Sequence, residues 1–89
     1  MPAILVQHHV KNFAEWKTVF DSMADLRASN GEHGAQIFRS ESDPNQITVI
    51  TKWDSLENAR KYSQAPELKA AMEKGGVDSQ PSISFLNEA

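Results

Sequence analysis

The order in which this 89-residue chain switches hydrophobic period constrains its fold more than any single residue does. Residues 3–10 (Ala-Ile-Leu-Val-Gln-His-His-Val) are rich in β-branched types and too short for an uncapped helix, so they read as a strand. Asn12 is a good N-cap for a helix beginning at Phe13. Phe13, Trp16, Val19, Phe20, Met23 and Leu26 recur at helical spacing while Glu15, Lys17, Asp21 and Asp25 point away, which predicts one helix closed by Gly31 as its C′ residue. Residues 35–41 and 46–53 predict two strands joined across Ser42-Asp43-Pro44-Asn45, where proline presets a turn and Asp and Asn bond the local backbone. Ser55 caps a second helix with Leu56, Ala59 and Tyr62 inward. Pro66 opens a further helical piece carrying Leu68, Ala71 and Met72, and Gly75-Gly76 stop it. Residues 82–87 alternate enough to form a last strand.

The order β-α-β-β-α-β, with right-handed crossovers, predicts an α+β fold: a ferredoxin-like sandwich with helices on one face of an antiparallel sheet, residues 1–89 making a single domain. A sheet with one wet face should alternate cleanly, yet these strands do not. The first places Ile4, Val6 and Val10 on one side and Leu5 on the other. The third sets Ile47, Val49 and Trp53 against Ile50, and the second opposes Phe38 to Ile37. Helices can cover only one of those faces, and monomers of this size rarely leave such a patch in water. A second copy packed sheet to sheet about a two-fold axis is the expected cover. Burying about five large apolar side chains per subunit is worth roughly 8–15 kcal/mol gross, enough to outweigh the usual association cost.

Composition removes whole classes of function. Small domains bury only about 60–65% of their unfolded surface, so the core is thin and a second domain is out of reach. Net charge is −3 and the basic residues are scattered singly, which leaves no positive stripe to hold phosphates and argues against nucleic acid. No cysteine is present, which excludes thiolate catalysis and cysteine metal sites and gives secretion no disulfide support. The run Ala3 to Val6 is far too short for a signal core or a membrane span, so a cytoplasmic protein without a membrane partner is expected. There is no phosphate loop, Gly-x-Gly-x-x-Gly, nucleophile elbow or His-Glu-x-x-His. RNA-recognition modules share the element order, but they stack bases on aromatics of strands one and three, which are missing here before Trp53.

Several runs are familiar together: Ile47 to Trp53, Asp54-Ser55-Leu56-Glu57, and Ser63-Gln64-Ala65-Pro66-Glu67-Leu68-Lys69-Ala70-Ala71-Met72, with Phe13-x-x-Trp16 and Asp43-Pro44-Asn45. This pattern resembles the dimeric α+β-barrel superfamily that includes antibiotic-biosynthesis monooxygenases. The resemblance implies a small pocket in each subunit between sheet and helices, and chemistry that often needs no cofactor, because the bound substrate supplies the electrons to oxygen. Haem-degrading relatives carry a histidine ligand where this chain has Met72, and quinone-forming relatives carry an Asn where it has Val49. The first departure argues against haem, so no cofactor is expected, the second leaves Trp53 without its polar companion, and both losses support a non-catalytic alternative.

Three residues are the candidates for chemistry. His8 shares a strand face with Ile4, Val6 and Val10, where burial would keep it neutral and able to accept a substrate proton; a hydrogen-bonded structural histidine is the plainer alternative. His9 leaves by the opposite face, so the pair cannot chelate one metal, and His33 is expected to be exposed. Trp53 can wall a pocket and offer its indole N–H, or be a core aromatic with that N–H satisfied. Arg39 can hold a carboxylate or enolate oxygen, or pair with an acidic neighbour. Tyr62 can line the pocket mouth or simply pack. These residues support two expected functions. One is a cofactor-independent monooxygenase, cyclase or isomerase of a small apolar carbonyl or phenolic ligand, with Met72 closing the pocket; the other is a non-catalytic ligand-binding or stress-associated homodimer.

Overall fold

The computed structural model describes residues 1–89. It contains β1 (Ala3–His9), α1 (Phe13–Ser22), α2 (Ala24–Ser29), β2 (Glu32–Arg39), β3 (Gln46–Trp53), α3 (Leu56–Ser63), α4 (Pro66–Lys74) and β4 (Ser82–Leu86). The four strands form one antiparallel sheet in the order β2-β3-β1-β4. That is the order a split βαβ arrangement produces, and the α+β ferredoxin-like expectation holds. No helix is long and apolar enough to cross a membrane.

Local chemistry explains where the elements end. Asn12 accepts from the Glu15 N–H and Ser55 from the Asn58 N–H, so both expected N-caps are made. Gly31 follows the end of α2 at φ +111°, and a Cβ there would collide with the Asp54 carboxylate. The single helix expected across 13–26 is instead two, broken at Met23. The Ser22 hydroxyl takes the Val19 carbonyl at 2.6 Å, and the Met23 N–H turns to the Phe20 carbonyl three residues back, which tightens and ends α1. Strand β2 starts earlier than the pattern suggests, because a bulge between Glu32 and Gly34 absorbs His33 and lets the ladder reach Trp53. It also stops at Arg39: the Ser40 and Ser42 hydroxyls bond one another, and the Ser42 N–H bonds back to Ser40, giving these residues to the hairpin.

The helices cover the face carrying Ile4, Val6 and His8 of β1 and Ile47, Val49, Thr51 and Trp53 of β3. Beneath them the core is divided. One cluster joins Ile4, Trp53, Ala59 and Tyr62; the other joins Val10, Trp16, Ile47 and Val49, with Val6 touching both. The opposite face carries Leu5, Ile50, Phe38 and Leu86, the last two 50% and 41% exposed, among Gln7, Gln36, Thr48, Ser82 and Ser84. The large apolar side chains there are four, fewer than the sequence pattern suggested, because β4 and β2 present serines and glutamine on that side.

His9 ties two loops to the end of β1. Its Nδ1 lies 2.6 Å from Asp78 and its Nε2 3.4 Å from Asp43, and its N–H donates to the Ser79 hydroxyl. The Asp78 hydrogen bond, helped by the charges of both aspartates, raises its pKa above the ordinary 6.5. A raised histidine pKa means that the folded chain holds this proton more tightly than the unfolded one. The stabilisation is complete below pH 6.5 and is lost as pH climbs through the higher folded value. Thermal melts of wild type and His9→Gln should therefore differ most near pH 6 and converge in alkali; a constant difference would contradict the ion-pair role.

Candidate functional site

Between the two core clusters, on the covered face of the sheet, lies a cavity whose space for the centre of a water molecule is about 80 Å³. A single water needs roughly 10–15 Å³ by that measure, so the void takes a small ligand or the head of a larger one. The floor is β1 and β3, through Ile4, Val6 and Val49; α1 contributes Trp16 and Phe20; α4 contributes Leu68 and Met72. The walls are mainly apolar, which makes the few polar groups the informative ones.

His8 is the first. It is 3% exposed, its ring meets Trp16 edge-on at 5.7 Å, and its Nδ1 has no hydrogen-bond partner. Buried polar atoms are nearly always partnered, so an orphan on a cavity wall marks a place for a ligand atom. Burial lowers the His8 pKa, with only its own backbone pulling the other way, so the ring is neutral near pH 7.

Arg27 is the second, and it is only 5% exposed. It enters from α2, its guanidinium centred 3.7 Å over the Phe20 ring, with Nε 2.7 Å from Glu32 and Nη1 2.7 Å from the Phe20 carbonyl. Burial pushes the Glu32 carboxyl up while Arg27 pulls it back down. Burial likewise raises the pKa of the cavity-lining Tyr62 hydroxyl, and the neighbouring Arg27 opposes that rise. Thr51 and Ser63 complete the polar set.

The other two sequence candidates stand elsewhere. Trp53 is fully buried but does not line the cavity: its indole lies tilted against the Tyr62 ring, with ring centres 5.0 Å apart, and its N–H donates to the Thr51 hydroxyl at 2.8 Å. Arg39 is exposed, stacks over Phe13 at 4.0 Å and donates to the Pro44 carbonyl, so it closes the hairpin away from the cavity. Met72 is among the residues that line the cavity from α4. Nowhere do three or more His, Asp or Glu side chains converge to hold a metal ion.

The family model described as antibiotic biosynthesis monooxygenase matches residues 4–74. The chain belongs to that family. Solved structures agree in fold. A Bordetella bronchiseptica protein described as an antibiotic biosynthesis monooxygenase superposes with a TM-score of 0.82 at 15% identity, covering 99% of this chain and 96% of its own. A Caulobacter crescentus protein of the same description gives 0.78 at 20% identity, covering 99% and 89%. SnoaB of Streptomyces nogalater, a cofactor-independent oxygenase, gives 0.74 at 16% identity, covering 99% and 94%. No protein of curated function matches in sequence.

Within this antibiotic-biosynthesis-monooxygenase domain, the residue that sequence reasoning missed is Arg27. A signal was present: it falls four residues after Met23 and seven after Phe20, on the apolar stripe, where a charge needs a partner or a purpose. Thr51 was equally readable, since it shares the inward face of β3 with Val49 and Trp53.

Proposed function

We propose that this chain is a cofactor-independent oxygenase of a small, largely apolar carbonyl or phenolic compound. The observation that carries the reading is the unpartnered, neutral His8 on the wall of an apolar cavity. SnoaB, similar in fold, is described as a cofactor-independent oxygenase. A substrate methylene conjugated through an aromatic ring to a carbonyl, as in anthrone, gives its proton to His8, and the resulting enolate oxygen is met by the Arg27 guanidinium and the Tyr62 hydroxyl. The carbanion's electrons reduce dioxygen, a C–O bond forms, and the hydroperoxide loses water. The net change is CH2 plus O2 to C=O plus H2O, with every electron drawn from the substrate. Cyclase or isomerase chemistry would use the same proton abstraction without oxygen. Trp53 acts through Thr51, whose hydroxyl it orients, and Arg39 holds the hairpin.

Two copies join through the open sheet face in this reading. Leu5, Phe38, Ile50 and Leu86 are already half-buried or more, so the two subunits together gain at most about 6–12 kcal/mol gross from covering them, in the range of the usual association cost. Sedimentation at micromolar concentration should show the dimer. Oxygen uptake tests the chemistry. Anthrone should be converted to its quinone with one O2 consumed per substrate, and at a rate proportional to enzyme. Saturable binding of anthrone with no oxygen uptake would instead support a non-catalytic ligand-binding module.

A further inference from the structure

A second cavity lies on the outer side of α4, with about 520 Å³ open to a water centre, between that helix and the loop leading to β4. Ser63, Leu68, Met72 and Ile83 line both this groove and the inner chamber, so these side chains form a shared partition between the two. The helix is patterned for both sides. Leu68, Ala71 and Met72 face inward, and Lys69 and Glu73, one turn apart, face only the groove.

We infer that the groove is the second compartment of the ligand site, holding an uncharged, hydrogen-bonding tail on a ligand whose compact ring lies in the inner chamber beside His8. This rests on the proposed function only for what the ring undergoes. Size supports it. The inner chamber is below the few hundred Å³ usual for small-molecule sites, and the groove alone reaches that range. The partition can yield, because no residue of α4 is buried and Met72 is an unbranched, adaptable side chain. The far wall is fixed: the Ser79 hydroxyl accepts the His9 N–H at 2.8 Å, the Asp78 N–H donates to the His9 carbonyl, and Val77 bridges to Val10. Charge selects the tail. Lys69 and Glu73 cancel, while Gln64 and Ser79 supply hydrogen bonds, so an amide or ester suits the groove better than a carboxylate or an ammonium.

Calorimetric titration of the full chain with p-ethylphenol and N-acetyltyramine tests this, since the second adds an amide tail to the same phenol head. N-acetyltyramine should bind about tenfold tighter, the gain expected from one or two net hydrogen bonds. Gln64→Ala should remove most of that gain and leave p-ethylphenol unchanged, and this exposed substitution should fold normally. Equal affinities in the wild type, or a variant that weakens both probes alike, would overturn the compartment. Selective binding without oxygen uptake from anthrone would leave the compartment standing and overturn only the oxygenase reading.

Discussion

Replacing His8 with leucine is expected to lower turnover by about 10²–10⁴-fold, the usual contribution of a positioned general base, and to leave the fold as stable as before or more so. The second half of that expectation is what distinguishes a working residue from a structural one. Because Nδ1 has no partner, the substitution breaks no hydrogen bond from that atom, and it removes a buried polar group from an apolar wall. A structural histidine would behave in the opposite way, with stability lost and rate untouched. The pH dependence has a sign of its own. A lowered folded pKa means that the unfolded chain binds this proton more readily, so His8 withdraws stability as pH falls from 6.5 through the folded value. His8→Leu should remove that acid penalty. The neighbouring His9 works in the reverse sense, so the comparison belongs between variant and wild type at each pH. Urea denaturation and oxygen uptake on the same samples check both halves.

Trp53→Ala should be the most damaging single substitution for the fold. The side chain is completely buried between Ile4, Ala59 and Tyr62, and removal of such a group costs about 3–5 kcal/mol in transfer and cavity terms. Domains of this size hold only about 5–15 kcal/mol in all. The variant should therefore unfold at much lower urea or fail to fold. Trp53→Phe separates packing from hydrogen bonding: the ring against Tyr62 is kept, the donor to Thr51 is lost, and a cost of about 1–3 kcal/mol is expected. Released from the indole, Thr51 would turn toward the cavity it lines, so the phenylalanine variant should change ligand affinity while folding well.

The contrast between these two residues shows where the sequence is legible. Period and caps gave the elements, since the features that set them are local: Asn12, Ser55, Pro66 and Gly31 each act within a few residues of themselves. The break at Met23 was hidden because it depends on Ser22 competing for one carbonyl, a choice that the apolar stripe does not encode. Strand alternation put His8 on one face with Ile4, Val6 and Val10 but did not say which face the helices cover, and the space beside its Nδ1 depends on how far α1 and α4 stand from the sheet. Trp53 and Arg39 were visible as residue types suited to chemistry. What the sequence could not show is that Thr51 already receives the indole N–H, or that Phe13 lies under the guanidinium. Arg27 was overlooked because helix charges are usually solvated, although its place on the apolar stripe marked it, and α2 sets its guanidinium over the Phe20 ring.

The most direct measurement is a nuclear magnetic resonance titration of the three histidine rings, with and without anthrone. The His8 ring should titrate below 6.5 and shift when anthrone is added, while His9 titrates above 6.5 and stays still. A His8 ring that titrates at or above 6.5, or that does not respond to a saturating ligand, would contradict a neutral base facing the cavity.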